Sequence, residues 1–310
     1  MIMTNNKKLP FAKAICYSGY RDGQSPASDD LPSYEEVKQD LLILKGQWQS
    51  LRLYASDAHS KTVLDVISEE NMPFDVMLGA YITAELSNPE CPWGADYSAE
   101  LLQENKQHNQ EQITTLITLA NSYNSIVSSV SIGNEASVSW TDHLVPTASL
   151  VDYAKQLKLS VIQPVTFCEN YVPWLDKLKP LVEEIDFISI HTYPVWEYKS
   201  IQEGLAYTIE NYNAVAQAYP DVQVVITEAG WATNSNGLGI DADKVNEVYQ
   251  KQYYQQLMDW AEQEQVLVYF FEAFDESWKG SCDPLEPEKH WGLYRTDRSP
   301  KLVVNQNAQR

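Results

Sequence analysis

Short apolar and β-branched runs recur along the chain, and between them lie longer stretches with apolar residues every third or fourth position. The runs predict eight strands, at residues 12–17, 50–54, 74–81, 126–132, 160–166, 187–192, 222–227 and 267–271. The stretches between them predict helices. Val37, Leu41, Leu44 and Trp48 fall on one helical face, and Ser33 with Glu36 three residues later forms a capping box ahead of them. Ser200 and Glu203 repeat that signature before Leu205, Ile209, Tyr212 and Val215. Strand and helix alternating eight times predict an α/β fold, a (β/α)8 TIM barrel. A doubly wound sheet would more often carry a Gly-rich phosphate turn after its first strand, and Tyr17-Ser18-Gly19-Tyr20 is no such turn. No linker, low-complexity stretch or composition break divides the 310 residues, so the chain from 1 to 310 reads as one domain.

In such a barrel, chemistry collects where strands pass into the following loops. The predicted exits carry Tyr17, Tyr54, Tyr81, Asn134 with Glu135, Thr166, His191 with Tyr193, Glu228 with Trp231, and Phe274 with Asp275 and Glu276. A single aromatic there is more often packing than function; aromatics and carboxylates at nearly every exit mark a site. Two segments stand out, Gly133-Asn134-Glu135 and Thr227-Glu228-Ala229-Gly230-Trp231, each closing an apolar run. A lone glutamate after a strand is usually a surface charge. Two delivered to the same barrel end suit glycosidic cleavage with retention, which needs a proton donor and a nucleophile roughly 5–5.5 Å apart.

Roles follow from that chemistry. Glu135 is expected to give and take the proton, and Glu228 to attack. Gly133 is expected to let the chain turn sharply at the exit. Asn134 is expected to bond a sugar hydroxyl. Arg52, within the second predicted strand, would pair with a carboxylate that must stay ionised if it faces inward, and an outward salt bridge fits the sequence equally well. Tyr193 is placed to donate to the same carboxylate. Trp231, with Trp278, Trp291, Trp140 and Trp93, is expected to offer stacking faces for sugar rings. Strand-end carboxylates in an open groove support little packing, so replacing either should cost roughly 1 kcal/mol or less.

Composition removes other classes. A formal charge of −21 opposes nucleic acid, which needs Lys and Arg clusters. No apolar run approaches the ~18 residues of a membrane span. Cys16, Cys91, Cys168 and Cys282 form no CxxC pair and read as buried or free thiols. His59, His108, His143, His191 and His290 have no ligand spacing, so neither metal nor cofactor is expected. Residues 1–9 hold two lysines and no apolar segment of a secretory signal. The chain is expected to act as a monomer.

Several pieces in order resemble glycoside hydrolase family 17: Ile15-Cys16-Tyr17, Leu51-Arg52-Leu53-Tyr54, Gly133-Asn134-Glu135, Thr227-Glu228-Ala229-Gly230-Trp231, Phe274-Asp275-Glu276 with Lys279, and Glu288 before Trp291-Gly292-Leu293-Tyr294. The resemblance covers nearly the whole chain, and Arg21-Asp22-Gly23-Gln24-Ser25-Pro26 is similar to the microbial branch. It implies Glu135 as acid/base and Glu228 as nucleophile. It further implies Glu276, Lys279 and Glu288 as binding or supporting residues; with Tyr54, Asn134, Tyr193 and Trp231, read from their positions, Glu276 and Lys279 are expected to bind substrate, and Arg52 and Glu288 to support the site. The implied substrate is β-1,3-glucan such as laminarin or its oligosaccharides. The implied reaction is hydrolysis, the alternative being glucanosyl transfer through the same intermediate. A non-catalytic glucan-binding barrel is disfavoured because both carboxylates are present.

Overall fold

The computed structural model describes residues 8–304, so the stretch in which no export signal is read lies almost wholly outside the described residues. Eight parallel strands pair in sequence order and close, β1 against β8. They are β1 (Lys13–Cys16), β2 (Ser50–Leu53), β3 (Asp75–Gly79), β4 (Val127–Asn134), β5 (Val165–Asn170), β6 (Phe187–His191), β7 (Gln223–Gly230) and β8 (Val268–Phe271). The connecting helices are α1 (Tyr34–Leu44), α2 (Ala58–Glu69), α3 (Ala99–Ser122), α4 (Thr147–Ser160), two short turns α5 (Tyr171–Trp174) and α6 (Lys179–Val182), α7 (Ile201–Ala218) and α8 (Glu247–Glu264). The α/β barrel expected from the alternation is the fold observed. Among the described residues no α-helix follows β8.

Local signals explain the helix starts. Ser33 Oγ accepts from the Glu36 N–H while the Glu36 carboxylate accepts from the Ser33 N–H, and the Glu203 carboxylate accepts from the Ser200 N–H. Helix α1 ends at Leu44, earlier than its apolar spacing predicts, because Gly46 turns the chain at φ +89°. Trp48 is therefore buried from a loop and not from a helix face.

The fifth strand departs most from expectation. Residues 160–166 read as β-branched, but Ser160 closes α4 and Ile162 is exposed. The strand starts only after Pro164, at Val165. Thr166 is thus buried inside the strand, its hydroxyl donating to the Phe187 carbonyl, and the true exit is Glu169-Asn170. That shift of four residues changes which side chain reaches the site.

The sheet is irregular where the exits gather. Register shifts fall between Ser131 and Asn134 on β4, Ile190 and His191 on β6, and Ile226 and Ala229 on β7. Such irregularities re-aim side chains at barrel rims. Here they act on the residues around Asn134, His191 and Glu228.

Candidate active site

Glu135 follows β4 directly and adopts φ +47°. For a non-glycine residue this left-handed conformation costs of order 1–3 kcal/mol and persists only where neighbours impose it. The turn at the exit is therefore made by Glu135 itself. Gly133 serves another purpose: a Cβ there would lie 2.7 Å from Ile82 Cδ1, so any larger residue would have to push the Ile82 side chain aside. The Glu135 N–H donates to the Cys168 carbonyl of β5 at 2.9 Å. The side chain is 31% exposed, open to a ligand.

Glu228 lies two residues inside the end of β7 and is 6% exposed. Its carboxylate is held at both oxygens. Arg52 Nη1 donates to Oε1 and the Tyr193 hydroxyl donates to Oε2, each at 2.5 Å. Burial alone would favour the neutral acid, but the nearby charges of His191 and Arg52 and these hydrogen bonds hold Glu228 down to about 2. It is ionised at any physiological pH. The Arg52 orientation left open by sequence is inward: the side chain is buried, and its Nη2 donates to Asn134 Oδ1. Its guanidinium also lies 4.4 Å from the Tyr54 ring centre, which brings Tyr54 into the same cluster.

His191, on β6 and fully buried, joins the two carboxylates. Its Nδ1 is 2.9 Å from Glu135 Oε1 and 3.5 Å from Glu228 Oε2. Burial disfavours its charge, yet the Glu228 carboxylate, Cys168 and Glu135 together raise it to about 10, so it is an imidazolium donating toward Glu135. One acid oxygen from each glutamate and this nitrogen all lie within 4.8 Å of one another. In geometry that trio fits a cation. Its chemistry does not, because a protonated imidazole has no free lone pair and Arg52 already neutralises Glu228.

Sequence reasoning missed several members. Glu169 on β5 is buried, with Oε2 accepting the Ser137 N–H at 2.8 Å and Oε1 accepting the Asn170 N–H at 2.7 Å. Burial and then the charge of Glu135 push it up to about 8 against those backbone bonds. His143 Nε2 lies 2.9 Å from the Asn134 carbonyl, and its Nδ1 lies 2.7 Å from Asp142. Glu272, the first residue after β8, is buried and paired with Lys279 at 2.8 Å. The expected strand window at residues 160–166 hid Glu169. The later cluster Phe274 to Glu276 drew attention past Glu272.

Two expected substrate contacts are corrected. Trp231 is fully buried: its Nε1 donates to the Lys244 carbonyl at 3.0 Å, and its ring packs against Tyr253 and the α-carbon of Gly204. It is a core side chain and offers no face to a sugar. Trp291 is buried as well, whereas Trp93, Trp140 and Trp278 are exposed. Glu276 is 1% exposed, bound to Lys279 at 2.6 Å and accepting from Trp278 Nε1 at 3.1 Å. Its carboxylate lies buried under the loop after β8, tied to Lys279 and Trp278. Lys279 is shared between Glu272 and Glu276. Glu288 is half-buried, and burial together with Glu135 and Glu228 outweighs Lys279 to push it up to about 7.

Two carboxylates at one end of a parallel barrel, one open and one locked in its charged form, define a glycosidase-type centre. Residues 14–292 match the BtgE/BtgC glycoside hydrolase domain, and the chain belongs to that family. A glucan 1,3-β-glucosidase of Arthroderma benhamiae is 26% identical over 133 residues, which are 38% of this chain and 42% of that relative. The aligned stretch is thus less than half of the curated relative's length. Among solved structures, an endo-laminarinase from Formosa superposes with a TM-score of 0.82 at 25% identity, covering 94% of this chain and 85% of that one. A β-1,3-glucanosyltransferase of glycoside hydrolase family 17 from Rhizomucor miehei gives 0.72 at 22% identity, covering 94% and 96%. The second likeness is one of fold.

Proposed function

We propose that this chain is a retaining β-1,3-glucan hydrolase of glycoside hydrolase family 17. The single observation that carries this reading is the geometry of Glu135 and Glu228. Their oxygens approach within 4.8 Å of each other, far inside the 6.5–9.5 Å typical of inverting enzymes. That separation leaves too little room for the reacting sugar carbon and an attacking water together.

The chemistry then runs in two balanced steps. Glu228 attacks the anomeric carbon as the glycosidic C–O bond breaks, and the Glu135 carboxyl gives its proton to the departing oxygen. In the second step the Glu135 carboxylate takes a proton from water, whose oxygen attacks the same carbon and releases Glu228. Arg52 and Tyr193 keep Glu228 ionised and aimed until it attacks. Asn134 spends its carbonyl oxygen on Arg52, which leaves its amide N–H groups for a sugar hydroxyl.

β-1,3 linkage is supported by the glucan 1,3-β-glucosidase and endo-laminarinase likenesses. The test is a comparison of initial rates on laminarihexaose and cellohexaose. Cleavage of laminarihexaose alone is expected, and comparable rates or a cellohexaose preference would overturn the linkage. The same assay read by chain length separates hydrolysis from glucanosyl transfer, since transfer yields products longer than the hexasaccharide.

A further inference from the structure

We infer that the loops after β3 and β4 form one rigid wall that binds the glucan chain beyond the cleaved bond, with Trp93 and Trp140 as its stacking platforms. This rests on the reading of the chain as a β-1,3-glucan hydrolase, and adds the residues that give it a preference for long chains. Residues 80–98 and 135–146 contain no helix or strand. A loop as long as the first is uncommon in a compact domain and usually carries function. Both loops are pinned. Glu85, buried, accepts from Asn109 of α3 and from Ser149 and Tyr153 of α4. The N–H groups of Glu85 and Leu86 donate to the Leu144 carbonyl. Asn88 is the joint. Its Nδ2 donates to the carbonyls of Ser139 and Thr141, at 2.9 and 2.7 Å, on either side of Trp140, while its own N–H and carbonyl close the turn that carries Trp93.

The backbone is fixed, yet the large rings it presents stay in solvent. Trp93 is 65% exposed and Trp140 42%. Tyr81 is exposed too, and its ring centre lies 5.9 Å from that of His143, whose Nε2 meets the Asn134 carbonyl next to Glu135. The wall therefore runs on from the acid/base. Exposed rings on a fixed backbone have little ordering left to lose when a flat ligand settles on them. Charge selects the ligand. The two segments hold Glu85, Glu90, Asp96, Glu135 and Asp142 and no Lys or Arg, and His143 is paired with Asp142. Phosphate or sulfate groups would find no free cation there, which disfavours nucleic acid, an anionic membrane and sulfated glycans. A neutral polysaccharide is indifferent to that field, and its ring faces are apolar. A chain held for cleavage must pass Glu135, where the wall begins.

The test measures binding apart from cleavage. Trp93→Ala, Trp140→Ala and the double variant are assayed beside wild type on laminaritriose, laminarihexaose and laminarin. Binding is read by affinity electrophoresis in gels holding laminarin, each protein carrying Glu135→Gln so that the polymer is not consumed. The double variant is expected to bind laminarin about tenfold more weakly, as when central aromatic contacts are lost from an interface. Its kcat should stay near the wild-type value, because neither ring belongs to the group around the two glutamates. The loss in kcat/KM should grow with chain length, smallest on laminaritriose and largest on laminarin. A general defect would strike all three substrates alike. Equal losses, or laminarin binding unchanged in the double variant, would therefore overturn the proposal. A dimer lost in sedimentation while laminarin binding stays intact would assign the rings to self-association and overturn it as well. Ring-dependent binding with no cleavage of any substrate by wild type would refute the hydrolase reading and leave the wall standing; cleavage with ring-independent binding would do the reverse. If the double variant lacks the wild-type melting temperature, Trp93→Ala, at the more exposed ring, decides by the same pattern.

Discussion

Arg52 Nη1 reaches Glu228 Oε1 from β2 while its Nη2 reaches Asn134 Oδ1, both at 2.5 Å, so one buried guanidinium ties the two active strands β4 and β7 together. A lysine keeps the charge but presents a single point donor and cannot span both partners. Arg52→Lys should lower kcat at least about tenfold through misplacement, with KM changing less. Arg52→Met removes the charge that helps hold Glu228 ionised, so the acid limb of the pH–rate profile should move to higher pH. An acid limb that stays in place would show that Arg52 serves packing alone.

The two glutamates should respond differently to substitution. Glu135→Gln and Glu228→Gln should each reduce turnover of laminarihexaose by several orders of magnitude. For Glu135, partly exposed, the stability cost should stay near the expected ~1 kcal/mol. For Glu228 that expectation fails. It is buried against Arg52, and Glu228→Gly strands a buried guanidinium, at a cost of about 3–5 kcal/mol. Azide should partly restore bond cleavage in Glu228→Gly with the anomeric configuration inverted. Urea unfolding and product analysis check both points, and equal stability losses at the two positions would contradict the buried pair.

Trp231 tests the corrected placement. As a fully buried ring in contact with Tyr253 and Gly204, its replacement by alanine should cost about 3–5 kcal/mol of stability. A sugar platform would instead give a stable protein with raised KM. Thermal melting alongside kinetics distinguishes the two, and a stable variant with only KM raised would reinstate the platform.

How much of this was legible in the sequence varies by mechanism. Capping at Ser33 and Ser200 is local chemistry, readable from four residues, and it is found as expected. The barrel followed from strand–helix alternation, and Tyr193 donates to Glu228 as its spacing suggested, whereas the sequence left the direction of Arg52 open and only the structure turns it inward. Residues 160–166 misled because β-branched Val161 and Ile162 satisfy a strand pattern locally, whereas α4 packing and Pro164 decide where β5 begins. Burial was equally unreadable. Trp231 and Glu276 sit beside exit motifs, and only the tertiary structure shows them facing inward.

Metal independence is a separate expectation. Glu135, His191 and Glu228 bring three donor atoms together, but His191 titrates at about 10 and Arg52 lies against Glu228. A divalent ion would have to displace a proton and compete with a fixed cation. Activity on laminarihexaose should be unchanged by EDTA and unaffected by added zinc or magnesium. Loss in EDTA that a single divalent ion restores would reverse this view.

Stability should peak in mildly acidic solution. Glu228 is lowered from 4.5 to about 2, so its contribution is complete above 4.5 and is lost as pH falls toward 2. His191 is raised from 6.5 to about 10, so its contribution is complete below 6.5 and is lost as pH rises toward 10. Glu169 and Glu288, raised from 4.5 to about 8 and about 7, carry the same sign as His191: their contributions are complete below 4.5 and are lost as pH rises toward those values. The melting temperature should therefore be highest near pH 4.5, falling below it as Glu228 gains a proton and above it first as Glu169 and Glu288, then as His191, lose theirs. Replacing His191 by asparagine should remove much of the decline between 6.5 and 10, because that decline is the loss of the imidazolium between Glu135 and Glu228. Calorimetric scans of both proteins from pH 3 to pH 10 provide the comparison. A wild-type melting temperature that holds or rises from 6.5 to 10 would mean that His191 is not the buried cation joining the two carboxylates.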